Sequence, residues 1–186
     1  MRREVRIIGG QWKRTKLPVS DAPGLRPTPD RVRETVFNWL GQNLAGWRCL
    51  DAFAGSGALG FEAASRGALD VVLIERDRKL AAGLAAVKQR LDAARLRVEN
   101  ADALHWMARR PPSSFELVFI DPPFDTALLE PALAAAVRLL APTGLVYAES
   151  SEPLAASMLQ SHGLALHRQG RAGAVHFHLL RHADPA

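Results

Sequence analysis

Arg48-Cys49-Leu50-Asp51-Ala52-Phe53-Ala54-Gly55-Ser56-Gly57-Ala58-Leu59-Gly60 is the stretch that decides the fold of this chain. An apolar run ends on an acid, small residues follow, and the glycines at 55, 57 and 60 match G-x-G-x-x-G. The pattern predicts a strand over roughly 48–53 that turns tightly into a helix over 57–66, stopping near Gly67.

Downstream, strands and helices alternate. Val71-Val72-Leu73-Ile74-Glu75 predicts a second strand, followed by a helix around 78–94. A weak strand near 96–99 leads to Asn100-Ala101-Asp102 and a short helix ending about 109. A fourth strand over 115–121 precedes a helix near 130–140, with Pro131 in its first turn and a stop at Pro142-Thr143-Gly144. Leu145-Val146-Tyr147-Ala148-Glu149 predicts a fifth strand and 153–161 a helix. Strands near 164–167 and 175–180 are joined by a hairpin-type connection over Gln169-Gly170-Arg171-Ala172-Gly173. The strands are almost wholly apolar, as expected when helices cover both faces of a parallel sheet. The series fits an α/β fold, the class I methyltransferase variant of the doubly wound, Rossmann-like sheet. It has seven strands in a mixed sheet, an antiparallel C-terminal hairpin and a short basic N-terminal extension.

The glycine loop alone does not identify a ligand. In a dinucleotide site its backbone approaches a pyrophosphate at a helix N-terminus. Here Asp51 lies four residues before Gly55, at the strand end, where a carboxylate repels a pyrophosphate. It suits S-adenosylmethionine (SAM), which carries an ammonium and a sulfonium and no phosphate. Glu75 ends the second strand, where its two oxygens can accept both ribose hydroxyls, and Asp102 can accept from the adenine amino group. Each of these acids also has a plain structural reading: a helix cap for Asp51, a solvated strand end for Glu75 and Asp102.

A second acidic motif, Asp121-Pro122-Pro123-Phe124, follows the apolar run Leu117-Val118-Phe119-Ile120, seventy residues after Asp51. An aromatic amine is a poor nucleophile because its lone pair is delocalised into the ring. A carboxylate (Asp121) and a carbonyl (Pro122) accepting its two N–H protons favour the tetrahedral form and stabilise the developing positive charge. Pro122 and Pro123 fix the backbone, and Phe124 offers a stacking face worth about 1–3 kcal/mol per base. The base must be unstacked to enter. The two motifs together read as methyl transfer to the amino nitrogen of a nucleobase.

The 186 residues suffice for one α/β domain with a real core. The division expected is 1–46, a basic extension with a helix, and 47–186, the methyltransferase domain. Net charge is +5. Residues 1–48 hold ten basic and four acidic side chains, against fourteen and fifteen in the other 138, so the whole surplus is N-terminal. A polyanionic partner is the functional reading. Trp12 among Lys13, Arg14 and Lys16, in a basic loop after a short strand over 5–8, is the aromatic-plus-basic mixture expected of an RNA contact, and Arg26, Arg31 and Arg33 flank the helix that follows. Thr28 is expected as that helix's N-cap, Pro29 at its first position, and Val32, Val36, Trp39 and Leu40 as its buried stripe.

Cys49 is the only cysteine, which excludes an internal disulfide and fits a packed strand position. The N-terminus, Met1-Arg2-Arg3-Glu4-Val5-Arg6, has no apolar segment behind it, and no run approaches a membrane span, so a cytoplasmic protein is expected. His105, His162, His167, His176, His178 and His182 give no metal-ligand spacing, so no metal is expected.

Residues 6–60 and 115–124 resemble the bacterial 16S ribosomal RNA guanine-N2 methyltransferases of the small-subunit class D type. The resemblance rests on Arg6-Ile7-Ile8-Gly9-Gly10-Gln11-Trp12, on Leu25-Arg26-Pro27-Thr28-Pro29-Asp30-Arg31-Val32-Arg33-Glu34, on Phe37-Asn38-Trp39-Leu40, and on both acidic motifs. It implies SAM-dependent methylation of N2 of guanine 966 in 16S ribosomal RNA, with S-adenosylhomocysteine as product and the small-subunit particle as a partner. The chain is expected to act as a monomer. By that likeness Asp51, Phe53, Gly55 and Gly57 line the SAM pocket, Glu75 holds the ribose, Asp102 the adenine, and Asp121 to Phe124 the guanine. Three rivals remain: a DNA amino-methyltransferase acting on adenine N6 or cytosine N4, an NAD-dependent oxidoreductase, and a SAM-regulated RNA-binding module without catalysis.

Overall fold

The computed structural model describes residues 4–19, 28–123 and 127–183. At its centre is a seven-stranded sheet in the order β5-β4-β3-β6-β7-β9-β8. The strands are β3 (Arg48–Asp51), β4 (Asp70–Glu75), β5 (Leu96–Asn100), β6 (Phe115–Ile120), β7 (Leu140–Ser150), β8 (Leu164–Ala172) and β9 (Val175–His182). The five from β3 to β7 run parallel; β9 pairs antiparallel with both β7 and β8. This is the mixed sheet with an antiparallel hairpin that the sequence predicts.

Period-two alternation splits the core into two layers. Cys49, Val71, Leu73, Leu117, Phe119 and Tyr147 face one side of the sheet, where α1 (Asp30–Leu40), α2 (Ala58–Ser65) and α3 (Arg78–Arg90) pack. Leu50, Val72, Ile74, Val118, Ile120 and Ala148 face the other, under α4 (Ala103–Ala108), α5 (Leu129–Leu139) and α6 (Ala156–Ser161). Cys49 is fully buried in β3, and burial pushes its thiol well above the ordinary cysteine range. No helix among the described residues is long and apolar enough to cross a membrane.

The N-terminal residues form the hairpin β1 (Glu4–Arg6) and β2 (Lys16–Pro18), with Val5 opposite Leu17. Ile7 and Leu17 enter the same core layer as α1 and α2. One carboxylate fastens the hairpin to α2. Glu62, fully buried, accepts from the backbone N–H of Ile8 and of Gly9 at 2.8 Å each, and from Arg66 at 2.8 Å and Arg33 at 3.4 Å. A buried carboxylate persists only with such compensation.

Several local expectations are corrected. Thr28 does not cap α1: the cap position is Pro29, which has no side-chain bond to give, and the Thr28 hydroxyl instead donates to Glu149. The apolar face of α1 is Val32, Val36, Phe37 and Leu40, joined by Arg33; Trp39 is only partly buried and stacks on Phe177 with centroids 5.4 Å apart. Helix α3 ends at Arg90 rather than near 94, and α6 begins at Ala156 rather than 153. Pro142-Thr143-Gly144 does not separate α5 from its strand. It lies within β7, where the register against β6 jumps from Phe115↔Leu140 to Leu117↔Leu145 as a bulge, a place that tolerates Pro. The connection expected over 169–173 is shorter, since Gln169 to Ala172 still pair with β9.

Candidate active site

Strand order reverses between β3 and β6, so the loops leaving these neighbours diverge and open a crevice at their carboxyl ends. The sequence places an acid there on strand after strand. Asp51 closes β3, Glu75 closes β4, Asp102 follows β5 and Asp121 follows β6. Pairing of Asp51 with Phe119 sets Asp121 just beyond the first acid, and pairing of Ile120 with Ala148 sets it beside Glu149 on β7.

Asp51 is 2% exposed, and its Oδ2 accepts the Gly60 N–H at 3.0 Å. The helix-capping reading of this acid is therefore observed. Gly60 permits the approach: a Cβ there would stand 2.0 Å from the Leu73 side chain and 3.2 Å from Asp51 Oδ2. Gly57 turns the chain into α2 at φ +75°, with Phe61 and Leu84 2.7 Å from where a Cβ would be. Burial, opposed by the Gly60 and Phe53 N–H bonds and reinforced by Glu75, pushes the Asp51 carboxyl up to about 7. Glu75 accepts from Gly55 N at 2.9 Å through Oε2 and from Asp77 N at 2.8 Å through Oε1, which leaves each oxygen a lone pair toward the crevice. Phe53 is half-buried against the α4–α6 side of the core. Asp102 is exposed and caps α4 by accepting from His105 N at 2.9 Å, so Oδ1 carries the cap.

This donor set selects among ligands. The Gly55 N–H is taken by Glu75, the Gly60 N–H by Asp51 and the Gly57 N–H by the Ala54 carbonyl at 2.6 Å. Amides that a dinucleotide fold aims at a pyrophosphate are here bonded to two carboxylates and a carbonyl, and a phosphate would add like charge to a carboxyl already resisting ionisation. A cation relieves that strain. The residues therefore fit SAM and not a pyridine dinucleotide.

Asp121 is half-buried. Burial, then Glu149, then Asp51 hold its proton affinity well above the carboxylate norm, while a hydrogen bond from the Thr28 side chain opposes them. Pro122 is buried and Pro123 exposed. Phe124 and Arg26 lie outside the described residues. Sequence reasoning missed the polar surroundings of Asp121. Glu149 Oε1 accepts from the Thr28 hydroxyl at 2.8 Å and from the Tyr147 hydroxyl at 2.7 Å, all buried. Burial and the two carboxylates raise the Tyr147 phenol, so it stays a donor. Glu149 obeys the rule that found Asp51 and Glu75, an acid ending an apolar strand, and that signal was sufficient to find it.

The residues expected at an RNA surface separate into two groups. Lys13, Arg14 and Arg31 are exposed; Lys16 is exposed too and pairs with Glu4 at 2.7 Å. Trp12 is half-buried, packs on the core and donates its backbone N–H to Ser65 Oγ at 3.0 Å. Arg33 is a correction. Fully buried, it bonds Asp30 at 2.6 Å, Glu62 at 3.4 Å and the Thr28 carbonyl at 3.2 Å, so no guanidinium edge is left for a phosphate.

The sheet order, the glycine turn and the acids along its carboxyl edge define a SAM-dependent methyltransferase of class I fold. The family model described as "Conserved hypothetical protein 95" matches residues 5–181. The chain is 45% identical to Ribosomal RNA small subunit methyltransferase D of Escherichia coli over 180 residues, 96% of this chain and 90% of that one, and 42% identical to its Haemophilus influenzae namesake over 157 residues, 80% of each. It belongs to the ribosomal RNA small subunit methyltransferase D family. The solved structure of the putative methyltransferase yhhF from Escherichia coli, 44% identical, superposes with a TM-score of 0.83 over 98% of this chain and 100% of that one. A precorrin-6y C5,15-methyltransferase from Geobacter metallireducens, 18% identical with a TM-score of 0.70, shares the fold alone.

Proposed function

We propose that this chain methylates the exocyclic N2 amine of a guanine in 16S ribosomal RNA, at position 966, with SAM as donor and S-adenosylhomocysteine as product. The observation that carries the reading is the pair of carboxylates at adjoining strand ends: Asp51 behind a cation-selecting turn, Asp121 one strand over. Membership of the ribosomal RNA small subunit methyltransferase D family supports the substrate class.

When bound, SAM supplies an electrophilic methyl carbon: the amine lone pair forms the N–C bond while the electrons of the C–S bond go to sulfur. Asp51 attracts the cationic end of the donor, and Glu75 holds its ribose hydroxyls with its two remaining lone pairs. Asp102 Oδ2 receives the adenine amine while Oδ1 keeps its cap. Phe53, Gly55 and Gly57 line the same pocket. Asp121 and the Pro122 carbonyl accept the two guanine N–H protons, which turns the lone pair out of the ring plane. Pro122 and Pro123 hold these acceptors in place, and Phe124 stacks on the flipped base.

Residues 1–46 act as the RNA-gripping arm and cover of the cofactor end, and 47–186 as the catalytic domain. Lys13, Arg14, Lys16 and Arg31 meet phosphates beside Trp12, and Arg26 belongs to the same arm. The protein works in the cytoplasm as a monomer on the small ribosomal subunit, without a metal.

Mass-spectrometric mapping of 16S ribosomal RNA from cells with and without the gene tests this. A methyl group lost at N2 of one guanine is the expected result. Unchanged ribosomal RNA, with methyl transfer to adenine N6 or cytosine N4 of DNA in vitro, overturns it.

A further inference from the structure

The near-neutral charge of the chain after residue 48 hides a local surplus. Residues 153–183 hold three arginines, five of the six histidines and no Asp or Glu. Most of that surplus is folded into the hairpin of β8 and β9, at one edge of the sheet. Arg168 and Arg171 of β8 are exposed. Across the ladder Arg168 faces Leu179 and Arg171 faces His176, so neither meets an acid. Among the described residues the Arg168 side chain has no hydrogen-bond or ion-pair partner, and Arg171 uses only its Nε, on the Gly173 carbonyl at 2.9 Å. Other surface cations behave differently: Lys16 pairs with Glu4 at 2.7 Å, Arg48 with Glu116 at 2.7 Å and Arg97 with Asp70 at 2.6 Å.

The two arginines stand on a fixed platform. Gly170, between them, leaves room for the Phe177 ring, which a Cβ there would meet at 2.3 Å, and Trp39 of α1 stacks on that ring. Pairing of Ser150 with His176 sets the β8–β9 turn level with the end of β7, at the carboxyl edge where Asp121 follows β6. β8 lies three strands from β6, about 14 Å to one side. The N-terminal hairpin lies to the other side. Glu62 of α2 holds it, as does Arg90 of α3 through the Lys16 carbonyl, and these helices pack on β3, β4 and β5. The crevice therefore has a cationic element on each flank.

We propose that the β8–β9 hairpin is a second RNA-backbone contact, with Arg168 and Arg171 binding phosphates on the flank of the crevice opposite the N-terminal arm. The inference rests on the RNA-methylation reading above. A base that leaves its stack to reach Asp121 has backbone running away from it in both directions, and contacts on two flanks fix its register where one flank lets it pivot. Sites farther apart than a Debye length of about 8 Å act separately, so their phosphate contacts add. The planar guanidinium fork matches two phosphate oxygens, and the open outer edge of β8 presents backbone N–H groups beside it. Edge arginines also serve to keep two sheet edges apart, a role that leaves RNA binding untouched.

Filter binding of 16S ribosomal RNA to the full chain tests this. Arg168→Gln with Arg171→Gln is expected to bind about tenfold more weakly than wild type at about 0.2 M salt, with a salt slope shallower by about 1.4, or about 0.7 for each phosphate no longer neutralised along a single strand. Kd for SAM and kcat at saturating RNA should stay within about twofold. Arg168→Gln alone breaks no bond in the protein and should give half the change in slope, which separates lost charge from a turn loosened at Gly173. Arg168→Lys with Arg171→Lys should keep the wild-type slope. An unchanged slope in both Gln variants overturns the proposal, and aggregation of those variants with normal RNA binding would assign the arginines to guarding the edge. A lysine pair with the shallow slope of the Gln pair overturns it too, since charge would not be the cause. If wild-type protein binds the RNA with its full slope yet methylates none of it, the proposed reaction falls and the contact stands.

Discussion

Asp51→Asn tests the charge logic of the donor site. The carboxyl stands at about 7 in the ligand-free chain, against 3.8 ordinarily. A cation that requires the ionised form binds in proportion to the ionised fraction, which is about one half at pH 7, about one tenth at pH 6 and about one hundredth at pH 5. SAM should therefore bind about fivefold more weakly at pH 6 than at pH 7, and release close to one proton on binding at the lower pH. Isothermal titration in two buffers of different ionisation enthalpy reads both quantities. Asp51→Asn should bind weakly with a flat profile, whereas Asp121→Asn, the other raised carboxyl, should keep the slope. Stability moves oppositely. A carboxyl raised on folding contributes nothing below about pH 4 and costs progressively more up to about pH 7, where the loss levels at about 4 kcal/mol. The ligand-free wild type should lose melting temperature over that window relative to Asp51→Asn. A SAM Kd constant within about twofold from pH 5.5 to 7.5, or proton uptake on binding, would refute the argument.

Arg33→Met should destabilise the fold by about 3–5 kcal/mol, since it strips a buried partner from Glu62 and the bond to the Thr28 carbonyl; thermal melting measures it, and the salt slope of RNA binding should not change. Gly60→Ala should abolish SAM binding and lower the melting temperature together, because its Cβ displaces Leu73 and crowds Asp51. Neutralising Lys13, Arg14 and Arg31 to Gln should raise the RNA KM and reduce the salt slope by about one unit for each phosphate no longer neutralised, with SAM affinity retained.

The centre of the sheet was legible because β3, β4 and β6 are largely apolar runs leading to an acid, a pattern that local reading captures. So were the glycine turn and the carboxyl edge. Arg33 and Thr28 were not. Both occur in a basic, proline-rich stretch where an arginine ordinarily faces water and a threonine before Pro-Asp ordinarily caps a helix. What overrides these habits is Glu62, 29 residues beyond Arg33, and Glu149, 121 beyond Thr28. No local window contains either partner. Phe37 and Trp39 exchanged places for a similar reason: both fit helical spacing, and only packing against Phe119 and beneath Arg66 chooses Phe37 for the interior. Pro142 misled because a Pro-Gly cluster after a helix usually marks a loop before the next strand, whereas here the strand has already begun and a bulge absorbs the proline.

The clasp at Glu62 also orders the birth of the molecule. Ile8 and Gly9 leave the ribosome more than fifty residues before the oxygens that receive them, and Arg33 must wait as well. The basic arm is thus synthesised well before the helix that seats it. Until α2 emerges, this cationic segment lacks its buried carboxylate while it is still beside the ribosome, which is built of the class of polymer this family modifies.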